Sequence, residues 1–185
     1  MVEVVVRMLV KNRIIDFDDC ELYQYGLNLL IKKILHVSMI LIVGITCKKF
    51  VCTTAFLIAY AGIREYAGGY HAKTSKGCYL CTWGVTLFSV FLFYVFEQIK
   101  MLGLYVVLAA CAVIILGLAP QETANRPLDT QELTVYRKKA QKCLIIEGVI
   151  CLLFLFFKAI LYGVLCAWIV ETMMLLIGKI SMKYQ

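Results

Sequence analysis

Arg64, His71 and Cys78 recur at intervals of seven within one polar stretch, Arg64-Glu65-Tyr66-Ala67-Gly68-Gly69-Tyr70-His71-Ala72-Lys73-Thr74-Ser75-Lys76-Gly77-Cys78, and His71 is one of only 2 histidines in the chain. A thiolate with a histidine base beside it is sufficient apparatus for attack on a carbonyl carbon. On one unbroken helix the three residues would share a face, but His71 and Cys78 would lie about 10.5 Å apart along the axis. A base and a nucleophile work at roughly 3 Å, so the chain must turn between them if they cooperate. Gly68-Gly69 interrupts a helix, and Lys73-Thr74-Ser75-Lys76-Gly77 is turn-forming. Thr74 or Ser75 can then cap a following helix whose first turn holds Cys78. In that turn the helix macrodipole, Lys73, Lys76 and a protonated His71 all favour a thiolate. The Gly68-Gly69 backbone can approach a substrate closely and present N–H groups to a developing oxyanion.

The same residues admit other readings. A cysteine and a histidine in one polar loop can be merely structural. A zinc site would use Cys78-Tyr79-Leu80-Cys81 with His71, but a closed site needs four ligands and His36 is remote, so neither a metal nor a cofactor is expected. Glu147 and Glu171 stand inside apolar stretches, where ionisable groups mark pathways or partners. They support a rival, non-enzymatic reading, a small transporter with a proton or cation path through Glu147 and Glu171. The sequence lacks the paired broken spans such a protein needs. A third reading is a membrane adaptor that holds a peripheral partner. His36 stands close to Lys32 and Lys33 and reads as a hydrogen-bonded structural residue near the interface.

The elements that must carry the loop follow from composition. The chain has 185 residues, 62 % hydrophobic and 17 % charged, with mean hydropathy +0.84. A soluble domain has roughly 45–50 % apolar and 25 % charged residues, so a water-soluble globule and a disordered chain are both excluded. Most of the 9 cysteines lie in apolar runs and read as small hydrophobes rather than a disulfide framework. The net charge of +7 does not point to nucleic acid, because the basic residues cluster at the ends of apolar segments and no aromatic-plus-basic motif accompanies them.

Apolar stretches at 34–47, 50–63, 79–96, 101–119, 143–157 and 159–177 predict an all-α polytopic membrane protein with six hydrophobic segments, four to six of them crossing. The first two are short for a core of about 30 Å and would need local thinning or snorkelling lysines. A charge count by loop, with the N-terminus inside, leaves only Lys48, Lys49, Lys100 and Lys158 of the 19 basic residues outside. Both termini and the loops 64–78 and 120–142 are then cytoplasmic. Residues 1–31 read as an amphipathic interfacial segment rather than a signal peptide, with Glu3, Arg7 and Lys11 at i, i+4 spacing. The whole chain, 1–185, is expected to be one membrane domain. Arg126, Arg137, Lys138 and Lys139 make the 120–142 loop basic, either as an anchor facing anionic lipid or as a docking surface for an acidic peptide.

Arg64, Gly68-Gly69, His71-Ala72 and Cys78 resemble the central motif of the accessory gene regulator B (AgrB) family, membrane cysteine endopeptidases of bacterial quorum sensing. Ala119-Pro120 followed by Asn125-Arg126-Pro127 is similar to a second family element, with Arg126 keeping the charge where lysine is frequent. The resemblance extends over nearly the whole chain in length and order of spans. It implies that Cys78 is the nucleophile and His71 its base, with Arg64 and Gly69 required for activity. It further implies an AgrD-like precursor peptide as substrate, a thioester on Cys78, closure to a thiolactone or lactone ring, a homodimer, and residence in the bacterial plasma membrane.

Overall fold

The computed structural model describes residues 2–70, 72, 74–122, 129–154 and 156–183. Among the described residues seven α-helices follow one another: α1 (Val2–Lys11), α2 (Cys20–Thr46), α3 (Phe50–Ala67), α4 (Ser75–Gln98), α5 (Met101–Leu118), α6 (Thr130–Leu153) and α7 (Lys158–Lys183), with a short 3-10 turn at Phe17–Asp19 before α2. Among the described residues there is no strand, only an isolated parallel bridge between Gly68 and Gln121. Four helical stretches among the described residues, Phe17–Thr46, Lys76–Gln98, Met101–Leu118 and Lys158–Ser181, are long and apolar enough to cross a bilayer. The protein is therefore an all-α polytopic membrane protein, as its composition requires.

Several boundaries differ from the sequence expectation, two of them by more than ten residues. The short first span at 34–47 is the second half of α2, whose 27 residues reach about 40 Å. Lys32 and Lys33 interrupt the hydropathy without interrupting the helix, because lysine is a good helix former and its stem stays beside the backbone ladder. The segment therefore needs no bilayer thinning. The basic stretch expected as a loop up to residue 142 is helical from Thr130 onward. Asp129 and Glu132 form a capping box there, the Asp129 carboxylate accepting from the Thr130 amide at 2.6 Å and the Glu132 carboxylate accepting from the Asp129 amide at 3.2 Å.

The chain divides into two compact units, Met1–Ile40 and Leu41–Gln185. In the first, Glu3 in the opening turn of α1 and Lys11 in its last turn complement the helix dipole, and the chain leaves α1 through Arg13 at φ 55. The second is built on α7, which packs against α3, α4, α5 and α6. Leu161 to Trp168 are buried without a break. Lipid tails are as apolar as leucine, so helices here associate through close packing and small residues rather than through release of water. Gly163 makes this possible, since a Cβ there would meet Ala55 Cβ at 2.5 Å and the Cys52 carbonyl oxygen at 2.6 Å. Phe56, Ile63, Phe93, Leu104, Ile115, Leu165 and Leu175 fill the remaining interior. Exposed apolar side chains such as Leu80, Leu102, Val113, Leu152 and Leu153 form the surface suited to lipid.

At the Phe50 end of α3, Lys49 pairs with Glu97 and lies over the Tyr94 ring at 4.5 Å, while the Tyr94 hydroxyl donates to the Cys47 carbonyl at 3.0 Å. The opposite end of α3 carries Arg64 and leads into the loop with the candidate chemistry.

Candidate active site

The last turn of α3 ends at Ala67, and Gly68 terminates it with φ 77 while donating its amide to the Arg64 carbonyl at 3.3 Å. Gly69 follows at φ 103. Both conformations favour glycine. Space forbids a side chain as well: a Cβ on Gly68 would strike the Gln121 carbonyl oxygen, and one on Gly69 would lie 2.5 Å from Arg64 Nη1. The two glycines thus let the backbone turn sharply between neighbouring segments of the chain.

Three segments hold that turn. Gln121, just after the cis Ala119–Pro120 peptide, donates its amide to the Ala67 carbonyl at 2.8 Å and its side-chain Nε2 to the Leu175 carbonyl at 2.8 Å. The Tyr70 amide donates to the Met174 carbonyl at 3.0 Å. Gly178 clears the space, since a Cβ there would lie 2.5 Å from Gln121 Oε1 and 2.9 Å from the Tyr70 nitrogen. The Arg64 guanidinium closes the arrangement by donating from Nη1 to the Gly68 carbonyl and from Nη2 to the Tyr70 carbonyl. Glu171 Oε2 faces it at 3.6 Å, with the Glu171 side chain fully buried. A guanidinium suits this task because its rigid fork of donors reaches two carbonyls at once.

On the far side of the loop, Thr74 caps α4 by accepting from the Gly77 amide at 3.0 Å, and the Cys78 amide donates to the Thr74 carbonyl at 3.0 Å. Of the two caps the sequence allowed, Thr74 takes the position. Cys78 is exposed in the first turn of α4, and the Thr82 hydroxyl donates to its carbonyl at 2.9 Å.

The structure therefore brings Arg64, Gly68 and Gly69 together and sets Cys78 at a helix start, while His71 and Arg126 lie outside the described residues. The Gly68 amide, one of the two N–H groups the sequence reading offered to an oxyanion, is engaged with the Arg64 carbonyl. Arg137, Lys138 and Lys139 are exposed on α6. Lys139 Nζ stands 5.1 Å above the Tyr66 ring and 6.0 Å from that of Tyr136, which places this basic helix beside the end of α3. Glu147 accepts from Trp168 Nε1 at 2.7 Å. Glu147 and Glu171, paired in the transporter reading, thus each face a partner of their own.

Gln121 and Gly178 escaped the sequence reading. A polar residue directly after Ala119-Pro120, at the end of a long apolar run, was the available signal for Gln121. Gly178 gave only the general one that a glycine permits close approach.

Helices long enough to span a bilayer, a glycine turn clamped by a part-buried arginine, and an exposed thiol at the next helix start define a polytopic membrane protein with a candidate cysteine site. The chain belongs to the AgrB family: the family model, described as Accessory gene regulator B, matches residues 2–176. It is similar to two AgrB-like proteins of Clostridium perfringens, from strain 13 (Type A) and strain SM101 (Type A), each 28 % identical over 129 residues that cover 66 % of this chain and 58 % of the relative. The similarity thus spans less than two thirds of those relatives' length. No solved structure matches the chain at a significant level.

Proposed function

We propose that the protein serves the accessory gene regulator system as a membrane cysteine endopeptidase that processes a small AgrD-like precursor peptide. The observation that carries this reading is the exposed Cys78 in the first turn of α4, seven residues after His71 and just beyond a loop clamped by Arg64. A helix N-terminus stabilises an anion, which suits a thiolate nucleophile.

In the reaction, His71 takes the Cys78 proton and the thiolate attacks a carbonyl carbon in the C-terminal part of the precursor. The Gly69 backbone lies against the substrate, and Arg64 holds the loop that carries it. The C–N bond breaks, His71 returns its proton to the leaving amine, and the tail departs, leaving the N-terminal portion as a thioester on Cys78. A cysteine or serine within that portion then attacks the thioester carbonyl, forming the ring and restoring the Cys78 thiol. A partly dry membrane boundary favours this second step, because water competes less well for the acyl group.

The site faces the cytoplasm in this reading, with both termini on the same side of the plasma membrane. The protein acts as a homodimer within a single membrane domain in the lipid bilayer. Arg126, Arg137, Lys138 and Lys139 dock the acidic tail of the precursor by charge.

The test uses the purified protein in liposomes with synthetic AgrD-like precursor peptides. Release of a C-terminal fragment together with a hydroxylamine-labile adduct on Cys78 is expected. Fragment release with a free Cys78 throughout would contradict the thioester route.

A further inference from the structure

We propose that Glu171, in the middle of α7 and outside the catalytic loop, is a positioning residue: through Arg64 it fixes the backbone that leads directly into His71. The inference rests on the cysteine peptidase reading above and extends it to a residue that neither the motif nor the loop contains.

The first ground is the burial of the carboxylate. Glu171 is 0 % exposed, and among the described residues neither of its oxygens has a hydrogen-bond partner. The cation that faces it is Arg64, at 3.6 Å. An acidic group within a membrane helix is costly, and a buried ion pair is often no more stabilising than an apolar pair of similar volume. Stability alone therefore gives little reason for a carboxylate at this position, whereas the need to hold a particular cation in place does.

The second ground is what Arg64 does with its donors. Nη1 and Nη2 go to the carbonyls of Gly68 and Tyr70, and Tyr70 is the residue immediately before His71. An arginine side chain has many rotamers, so its fork stays aimed only if something fixes it. A negative charge on a rigid helix supplies that constraint.

The third ground is the face of α7 on which Glu171 stands. Glu171, Met174, Leu175 and Gly178 follow at i, i+3, i+4 and i+7, which places them on one side of the helix. Met174 accepts from the Tyr70 amide, Leu175 accepts from Gln121, and Gly178 leaves room for both chains. That face of α7 is thus a jig for the Gly68–Tyr70 backbone, and Glu171 is its charged member.

The experiment measures the rate at which iodoacetamide modifies Cys78 in the full-length protein in membranes at neutral pH, with Cys78 resolved from the other cysteines by peptide mass mapping. Wild type, His71→Ala, Glu171→Gln, Glu171→Asp and the His71→Ala/Glu171→Gln double variant are compared, and thermal unfolding is followed for each. If His71 activates Cys78, wild type reacts roughly tenfold faster than His71→Ala. Glu171→Gln should then fall to the His71→Ala rate, Glu171→Asp should recover part of the loss, and the double variant should be no slower than His71→Ala alone. A Glu171→Gln protein that reacts as fast as wild type would overturn the proposal. So would one that unfolds earlier while its folded fraction keeps the wild-type rate, because Glu171 would then serve stability alone. Equal rates for wild type and His71→Ala would instead defeat the underlying pairing of Cys78 with His71, a different result from either of these.

Discussion

Arg64 donates to two carbonyls on opposite sides of Gly69, and no other side chain has the geometry to replace it. Lysine keeps the charge but offers a single rotating ammonium in place of a planar fork. Arg64→Lys should therefore leave the thermal unfolding midpoint near that of wild type while lowering precursor cleavage by about 10²-fold, the scale of a misplacement near 1 Å in a catalytic group. Gly69→Ala differs, because its Cβ would lie 2.5 Å from Arg64 Nη1 on a backbone at φ 103. It should cost about 1–3 kcal/mol of stability, measurable as an earlier unfolding transition, together with activity.

At this scale the sequence was informative where a residue type has few other uses. Arg64, Gly68, Gly69 and Cys78 stood out because charge, glycine pairs and thiols at a helix start carry local meaning. Gln121 and Gly178 did not, because their roles depend on contacts with residues about fifty or a hundred positions away, and nothing near them in the chain encodes those neighbours. Arg64 itself was legible as important, but its two carbonyl partners, Gly68 and Tyr70, could be read only from the folded loop.

Among the elements, α7 supports the site by contact with α3. Gly163 lies against the backbone of α3 at Cys52 and Phe56, with Phe56 N 2.8 Å from the place of a Cβ. Backbone cannot yield as a flexible side chain can, so Gly163→Ala should force the two helices apart. The expected loss is about 1–3 kcal/mol by thermal unfolding in detergent, with reduced cleavage because Glu171 and Met174 move with α7. Between α6 and α7, Trp168→Phe would remove the donor to Glu147 and leave a buried carboxylate without it. A destabilisation of about 1–3 kcal/mol is expected, and Glu147→Gln, which keeps an acceptor, should cost less.

Helix identity was legible from apolar runs, whereas boundaries followed hydrogen bonding that hydropathy does not report. Lys32 and Lys33 suggest an end where α2 continues, and the Asp129/Glu132 capping box, which starts α6 thirteen residues before the apolar run at 143, lies in a segment whose basic residues mask its helical signal.

For the whole molecule, four apolar helices and membership of the AgrB family establish a membrane protein, and the distribution of lysine and arginine supplies an orientation that can be measured. Single cysteines introduced at Lys100 and Lys138 in an otherwise cysteine-free background should behave oppositely toward a membrane-impermeant maleimide. Lys100→Cys should label on intact cells, and Lys138→Cys only after permeabilisation. The reverse pattern would place the Cys78 loop outside and separate it from a precursor made in the cytoplasm.

The central claim is that Cys78 cleaves the precursor with His71 as its base. The most direct measurement is mass spectrometry of the peptides made when a candidate AgrD-like precursor is co-expressed with wild type, Cys78→Ala or His71→Ala. The account predicts a released C-terminal tail with wild type, none with Cys78→Ala, and a loss of about 10²–10⁴-fold with His71→Ala. A precursor cleaved equally well by the Cys78→Ala protein would contradict it.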